Sequence, residues 1–245
     1  ELLVYETESR EPSSFFSALE SKGLDVRVKF VHCGECRDSL GTKRNKLVER
    51  AKGNLIMHFD DDDLYAPDYV AFMFHKLSSG GAEFAKLSAY FILVNRKGFF
   101  GYWDTEMEST FFGEQLGAVI SGTQKFTLLF RKSMNSSMVM LDKPLAVDES
   151  YTLGFGFSYV YTKNAFQLGG RFDDLNFGED LPFAKRVRAA LPRKLLLVKD
   201  QRGVAAKVFH GDVSSGAISQ YCLPMHTFDM VFGRGQLEFL KSLSL

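Results

Sequence analysis

Residues 43–68 read KRNKLVERAKGNLIMHFDDDDLYAPD and form the segment that decides the fold. The first part, Lys43–Lys52, has the composition of a helix, and Gly53 is a typical residue at a helix end. An apolar strand follows and runs into four consecutive aspartates, Asp60 to Asp63. A helix, a turn, a buried strand and an acidic strand end together predict an α/β sheet, and such sheets bind ligands at the carboxyl ends of their strands.

The four adjacent carboxylates of Asp60 to Asp63 repel one another at pH 7, so they need a compensating cation or a wet, exposed setting. Oxygen ligands of this kind suit Mg²⁺ or Mn²⁺, and these ions favour a phosphate-bearing substrate. A solvated acidic loop is the alternative interpretation, because runs of charge are usually solvated. The position directly after a buried strand favours the metal site.

The composition is that of an ordinary globular protein. The 245 residues are 45% hydrophobic and 24% charged, which fits one large α/β domain. Lys+Arg and Asp+Glu are equal at 30 each, so no net field attracts an anionic membrane or nucleic acid, and we expect no nucleic-acid partner. The 24 Phe residues are expected to fill the core or to line a pocket.

Three Cys residues cannot form a closed disulfide framework, and their number does not demand an oxidising compartment. The pair Cys33-Gly-Glu-Cys36 has the spacing of a redox or zinc motif. Neither a thioredoxin-like unit nor a second Cys/His pair accompanies it, so we assign it no function.

No apolar run approaches the ~20 residues of a membrane span, and no signal peptide is visible. The chain begins at Glu1 inside a strand pattern and without an initiator Met. We therefore expect a processed form or an excised domain, and the compartment, cytoplasmic or secretory lumen, stays open.

Hydrophobic periodicity predicts strands and helices on both sides of the acidic segment. The predicted strands are 2–5, 26–31, 84–94, 98–103, 126–130, 138–141, 158–161, 195–198 and 205–209. The first predicted helix starts near Ser13 or Ser14. Further helices are predicted at 43–52, 68–77, 163–168 and 179–190, and a short one from residue 238. Strands 84–94 and 98–103 are predicted to form an antiparallel hairpin.

A second acidic motif, Glu179-Asp180, stands at the start of a predicted helix and follows the pair Gly169-Gly170. A lone acid at this place is usually stabilised by the helix dipole and needs no further role. A Gly-rich loop can also hold the acid in an open cleft. A carboxylate that faces the metal site there can act as a general base toward an acceptor hydroxyl.

Two further groups have suitable chemistry. His210 ends a predicted strand and can bind a metal or a phosphate as neutral imidazole, although such a His is often a satisfied polar residue. Arg37, Lys43, Arg44 and Asn45 cluster near the start of the helix before the acidic strand, where they suit phosphate or ribose contacts. On an isolated helix they would be surface charges.

The order of these motifs resembles that of the family-2 glycosyltransferases with the GT-A fold. The resemblance extends to about Ser215 and implies a Rossmann-like mixed sheet flanked by helices, with a small antiparallel sheet on the acceptor side. It also implies a single domain 1–245, with a nucleotide-sugar-binding half 1–100 and an acceptor-binding, catalytic half 101–245. The motifs are Gly41-Thr-Lys-Arg-Asn45, Ala51-Lys-Gly53, Asp60-Asp-Asp-Asp63, Pro67, Gly169-Gly-Arg-Phe-Asp173 and Gly178-Glu-Asp180.

The same resemblance implies roles within the first acidic motif. Asp62 matches the principal metal ligand and Asp61 the ribose contact, with Asp60 and Asp63 in support. The metal would be Mn²⁺ or Mg²⁺.

Outside that motif, Asp180 matches the base of an inverting displacement, and Glu179 is its neighbour. Glu6, with Glu8 as the second choice, falls where the family places an acid against the nucleotide base. His210 resembles a late His that adds a metal or diphosphate contact.

Two departures from the family pattern stand near the N-terminus. The first strand of the family is absent, so Glu1 begins at the second strand. We expect another chain or segment to supply that strand, or the true N-terminus to have been lost. Glu6-Thr7 also replaces the more usual Asp-Asp.

The expected protein is a metal-dependent inverting glycosyltransferase that moves a hexose or similar sugar from a UDP-linked donor to a carbohydrate or other hydroxyl acceptor. Tyr102 and Trp103 could stack on a sugar face on the acceptor side, and a core position for Trp103 is the equal alternative. Two other functions stay open: a nucleotidyltransferase, and a catalytically silent carbohydrate-binding or assembly domain.

Overall fold

The computed structural model describes most of the chain, in the segments 1–7, 11–21, 28–94, 99–106, 114–115, 118–119, 126–129, 137–140, 149–209 and 221–233. Within these segments, 3-10 helices cover Gly156–Ser158 and Met225–Thr227. The other elements, in chain order, are β1 (Leu2–Thr7), α1 (Ser14–Ser21), β2 (Val28–Cys33), α2 (Leu40–Arg50), β3 (Leu55–Met57), β4 (Leu64–Tyr65), α3 (Tyr69–Ser79), β5 (Phe84–Val94), β6 (Phe99–Asp104), β7 (Glu114–Gln115), β8 (Ala118–Val119), β9 (Phe126–Leu129), β10 (Ser137–Met140), α4 (Glu149–Leu153), β11 (Val160–Thr162), α5 (Lys163–Gly169), α6 (Asp180–Ala190), β12 (Leu195–Lys199), β13 (Ala205–Phe209), β14 (Tyr221–Leu223) and α7 (Phe228–Phe232).

The chain divides into two compact units. The first unit contains residues 1–56 and 161–195, and the second unit contains residues 57–160 and 196–245. The division into a donor half and an acceptor half that we expected from the sequence stays a prediction.

In the first unit, β1 and β2 pair in parallel, with Leu2 opposite Val28 and Thr7 opposite Cys33. Helix α2 begins earlier than predicted because the Ser39 hydroxyl accepts the Thr42 N–H at 3.1 Å and caps the helix. A disulfide joins Cys33, the last residue of β2, to Cys36, so the Cys-x-x-Cys pair is cross-linked.

Helices α5 and α6 of the first unit enclose an aromatic cluster. Phe172 and Phe183 stack with their ring centroids 4.1 Å apart, and Tyr161 meets Phe183 at 5.2 Å. The two helices approach closely at Gly169, where a Cβ atom would lie 2.3 Å from the Val187 side chain. Glycine is therefore required at this contact.

The large mixed sheet lies chiefly in the second unit and has the strand order β14-β6-β5-β11-β3, with β12 and β13 also paired to β5 and β4 paired to β13. Every residue of β5 is buried. Its antiparallel pairing with β6, from Ala89–Asp104 to Val94–Phe99, confirms the predicted hairpin. Short separate antiparallel sheets, β7–β8 and β9–β10, agree with the small additional sheet that we expected.

Aromatic side chains also fill the core of the second unit, as the Phe content suggested. Phe91, Phe100 and Phe228 belong to one buried cluster, in which Phe91 and Phe100 stack at 5.5 Å. Within the described segments, no helix is both long enough and apolar enough to cross a membrane. The helix predicted from residue 238 lies outside the described residues.

A buried aspartate fixes the turn between β12 and β13. Asp200 is fully buried, and its two carboxylate oxygens accept the N–H groups of Arg202, Gly203, Val204 and Ala205 at 2.8–3.1 Å. Gly203 has φ of 77°, and a Cβ atom there would lie 2.2 Å from Val231. This turn sets where β13 begins.

We expect Asp200→Ala to destabilise the protein by about 3 kcal/mol or more, because four backbone N–H groups, three of them buried, lose a charged acceptor. Urea unfolding followed by circular dichroism measures the change. Asp68→Ala is the control: Asp68 is exposed and makes no side-chain cap at α3, so it should cost no more than about 0.5 kcal/mol. Equal stabilities for Asp200→Ala and wild type would contradict this account of the turn.

Candidate active site

The four aspartates form a tight turn between β3 and β4 in the second unit. Just before the turn, the His58 N–H donates to the Tyr159 carbonyl at 2.9 Å. The Tyr65 hydroxyl accepts the Asp60 N–H at 3.0 Å and donates to the Phe157 carbonyl at 2.9 Å. This single hydroxyl therefore ties the start of the acidic turn to the segment before β11.

A lysine from β13 lies among the aspartates. The Lys207 ammonium is 2.9 Å from Asp63 Oδ2, 3.8 Å from Asp60 and 3.9 Å from Asp62. It arrives there because β13 pairs with β4, with Ala206 opposite Leu64. The protein thus supplies one of the compensating positive charges that the sequence led us to expect from a metal.

Asp63 is committed to this contact. Its side chain has no exposed surface, and its other oxygen, Oδ1, accepts the Val208 N–H at 2.8 Å. Burial raises the pKa of Asp63, and the nearby Lys207 ammonium opposes that rise and favours the charged carboxylate. Burial by itself would lower the pKa of Lys207, but the three carboxylates together outweigh it and raise that pKa.

The donor set suits a hard divalent cation. One carboxylate oxygen each from Asp60, Asp62 and Asp63 lies within 4.8 Å of the others. Because both oxygens of Asp63 already accept hydrogen bonds, Asp60 and Asp62 are the residues that fit Mg²⁺ or Mn²⁺. Asp61, the predicted ribose contact, is exposed on the same turn.

The sequence did not reveal two residues that hold the acidic turn in place, Lys207 and Tyr65. Lys207 is a lone charge in the otherwise apolar strand Ala205–Phe209, and a lysine buried in such a strand needs an acidic partner. That pattern could have pointed to the aspartates. Nothing in the sequence around Tyr65 marks its hydroxyl as a backbone contact.

The Glu179-Asp180 motif lies in the first unit. Asp180 is half-buried as the first residue of α6, and its Oδ1 accepts the Leu181 N–H at 2.7 Å. The Glu179 side chain is only 3% exposed and forms an ion pair with Arg44, Nη1 to Oε1, at 2.6 Å. The two neighbouring acids therefore have different environments.

Arg44 and Asn45 are buried, which corrects the nucleotide-sugar contacts that we predicted for them. The Asn45 side chain donates to the Phe172 carbonyl and accepts the Phe172 N–H, both at 2.8 Å. Both side chains therefore contact the segment before α6 and hold it in place. Of the other basic residues in that prediction, Arg37 is exposed and Lys43 is half-buried, and their ligand contacts stay predictions.

Glu6, the predicted contact for the nucleotide base, accepts the Ser13 N–H through Oε2 at 2.9 Å and so contacts the segment that leads into α1. Glu8 and His210 lie outside the described residues. The ligand roles of these three residues stay predictions.

Trp103 occupies the core and not a sugar-binding surface. It is 1% exposed and meets Tyr90, Tyr151 and Phe155 at ring distances of 5.2–5.7 Å. This corrects the stacking role and confirms the alternative that the sequence left open. Tyr102 is partly buried and packs edge-on against Phe91 at 5.1 Å.

The sequence profile of glycosyl transferase family 2 matches residues 9–136, slightly more than half of the chain. This chain belongs to glycosyl transferase family 2. The matched region includes the four aspartates and ends before Glu179-Asp180, so the role of the second acidic motif stays a prediction. Among curated protein sequences, none matches the chain.

Two crystal structures of S. aureus TarS, residues 1–349, are similar to this family-2 protein. The one in complex with UDP-GlcNAc has a TM-score of 0.47 at 10% identity and covers 86% of this chain and 59% of that one. The other has a TM-score of 0.41 at 10% identity, with coverages of 94% and 63%. The chain thus spans about three fifths of their length.

Family membership and the mixed sheet flanked by helices together confirm the α/β GT-A fold class that we expected.

We expect Lys207→Met to destabilise this family-2 protein by roughly 3–5 kcal/mol, because it leaves a buried carboxylate without its partner. Adding Asp63→Asn should recover part of that loss, since the buried acid is then neutral. Chemical unfolding of the single and double variants tests both statements.

The control is Lys29→Met, which removes a more exposed pair with Glu1 at 3.4 Å. Lys29→Met should lower the free energy of unfolding by about 1 kcal/mol or less. The account of Lys207 would be wrong if Lys207→Met were no more harmful than Lys29→Met.

Proposed function

We propose that this family-2 glycosyltransferase moves a sugar from a nucleoside diphosphate donor to a hydroxyl group of a carbohydrate or other acceptor, with inversion at the anomeric carbon. Membership of the family supports a glycosyltransferase activity. The finer proposal rests on one observation: Asp60 and Asp62 offer hard oxygen ligands within 4.8 Å of each other, beside a buried lysine.

The acidic turn is the proposed donor site. The leaving group is a nucleoside diphosphate, so negative charge accumulates on it as the glycosidic bond breaks. A Mg²⁺ or Mn²⁺ ion held by Asp60 and Asp62 would neutralise that charge. Lys207 and Asp63 keep these two aspartates in place, and Lys207 limits the repulsion between them.

Asp180 is the proposed general base. It takes the proton of the acceptor hydroxyl while the acceptor oxygen bonds to the anomeric carbon and the bond from that carbon to the diphosphate oxygen breaks on the opposite face. Asp180 is the first residue of α6 and is only half-buried, so part of it stays accessible to an acceptor.

Other parts of the proposal rest on the sequence resemblance. These are a uridine nucleotide as the donor, the donor and acceptor halves 1–100 and 101–245, and a first strand supplied by another segment or chain. The nucleotide contacts of Glu6, Glu8, Arg37, Lys43 and Asp61 and the metal or diphosphate contact of His210 have the same basis.

Isothermal titration with UDP, with and without Mn²⁺, tests the donor site. We expect binding that strengthens at least tenfold when Mn²⁺ is present, because a cation held by Asp60 and Asp62 would attract the diphosphate. Asp62→Asn should remove the Mn²⁺ effect. A folded protein that binds UDP equally well with and without Mn²⁺ would refute metal dependence, and one that does not bind UDP would favour the silent domain.

We expect Asp180→Asn to lower the rate of sugar transfer by roughly 10²–10⁴-fold, the usual contribution of a general base, while UDP affinity stays within about twofold. Initial rates with a panel of UDP-sugars and candidate acceptors provide the measurement. Asp229→Asn, the same change in the first turn of α7, should leave the rate unchanged. Full activity in Asp180→Asn would exclude it as the base.

A further inference from the structure

Glu179 and Asp180 are adjacent, yet the structure treats them differently. The Glu179 carboxylate is 3% exposed and 2.6 Å from the Arg44 guanidinium, which is itself 9% exposed. A buried carboxylate in an ion pair with an arginine is poorly placed to exchange protons with a substrate. The Glu179 backbone is helical, with φ of −67° and ψ of −23°, and leads directly into α6.

We propose that Arg44 and Glu179 form a positioning pair that holds Asp180 in place for catalysis, and that Glu179 takes no part in proton transfer. The effect of the pair on catalysis rests on the proposed function. Its effect on where the start of α6 lies does not. Consecutive Cα atoms are about 3.8 Å apart, so a contact that fixes Glu179 also restricts where Asp180 can lie.

The pair extends an attachment that α2 already makes to the segment before α6. The Gly41 N–H donates to the Leu175 carbonyl at 3.1 Å, and the Thr42 hydroxyl donates to Asp174 at 2.8 Å. A Cβ atom at Gly41 would lie 1.8 Å from the Asp173 carbonyl oxygen, so the two segments are in direct backbone contact. Together with Asn45, these contacts hold residues 172–175.

Asn176 still contacts α2, because its Oδ1 accepts the Leu40 N–H at 3.1 Å, whereas Phe177 and Gly178 are held less firmly. Phe177 is 63% exposed, and a Cβ atom at Gly178, which has φ of 76°, would meet nothing within 4 Å. Side-chain packing at Phe177 and Gly178 therefore does little to hold Glu179 in place. The Arg44–Glu179 ion pair renews the attachment to α2 immediately before Asp180.

Arginine suits this position better than lysine. The Arg44 guanidinium lies over the Phe172 ring, 5.7 Å from its centroid, as well as against Glu179. A planar, weakly hydrated cation can make both contacts at once, whereas a lysine ammonium is a strongly hydrated point charge. The substitution Arg44→Lys should therefore preserve the function of the pair only in part.

The kinetic test compares Glu179→Gln, Arg44→Lys, Arg44→Met and the double variant Arg44→Met with Glu179→Met. We expect kcat to fall about 10–100-fold in Glu179→Gln and Arg44→Met, because a misplacement of about 1 Å can cost ~10²-fold, with the donor KM within about twofold. Arg44→Lys should fall between these variants and wild type. The pH dependence of kcat should keep its wild-type shape in Glu179→Gln.

The double variant separates positioning from stability. Replacing both charges of a buried pair by apolar groups is often neutral for folding. We expect this variant to unfold near the wild-type midpoint and still to lose about as much kcat as Arg44→Met. The matched control is Arg171→Met, which breaks the exposed Arg171–Glu49 ion pair between the same two segments and should leave kcat unchanged.

Hydrogen exchange of the peptide covering residues 177–184 supplies a readout that needs no activity. We expect exchange at least tenfold faster in Arg44→Met and in the double variant, with α5 unchanged. If wild type transfers no sugar, the proposed function fails and the exchange result still decides the positioning role. Unchanged exchange, unchanged kcat, or loss of the fall in kcat at low pH only in Glu179→Gln would overturn the inference.

Discussion

The buried ion pair between Asp63 and Lys207 is the contact on which the proposed donor site depends. Neither charge is stable alone in a position with so little access to water, so each requires the other. The pair joins the acidic turn to β13. The Asp200 carboxylate, which accepts backbone N–H groups at the start of β13, sets where that strand begins. Because Asp63 is used in this way, Asp60 and Asp62 become the candidate metal ligands.

The second acidic motif follows the same plan within its own unit. Glu179 is buried against Arg44, and the neighbouring Asp180 is the residue proposed to react. In each motif, one carboxylate is paired with a basic side chain from another element, and an adjacent aspartate has the proposed chemical role. An acid that stabilises the fold and an acid that reacts need opposite surroundings, so adjacent positions in the sequence can serve both needs.

The sequence predicted what depends on local pattern. The hairpin of β5 and β6, the helix before the acidic turn and the acidic strand end were visible from periodicity. The bounds of that helix were not, because α2 covers Leu40–Arg50 and its C-cap is Ala51. It could not show pairings between distant residues, such as Lys207 with Asp63 or Arg44 with Glu179. Arg44 and Asn45 looked like ligand contacts because a charged helix start is usually exposed, and only the packing of the segment before α6 shows that they are buried.

Anomalous diffraction from crystals soaked with Mn²⁺ and UDP is the most direct test of the donor site. The account predicts a manganese peak at coordination distance from one oxygen each of Asp60 and Asp62, with the Lys207–Asp63 ion pair intact. A manganese ion bound to Asp63 with Lys207 displaced, or no manganese at the acidic turn while UDP is bound, would contradict it.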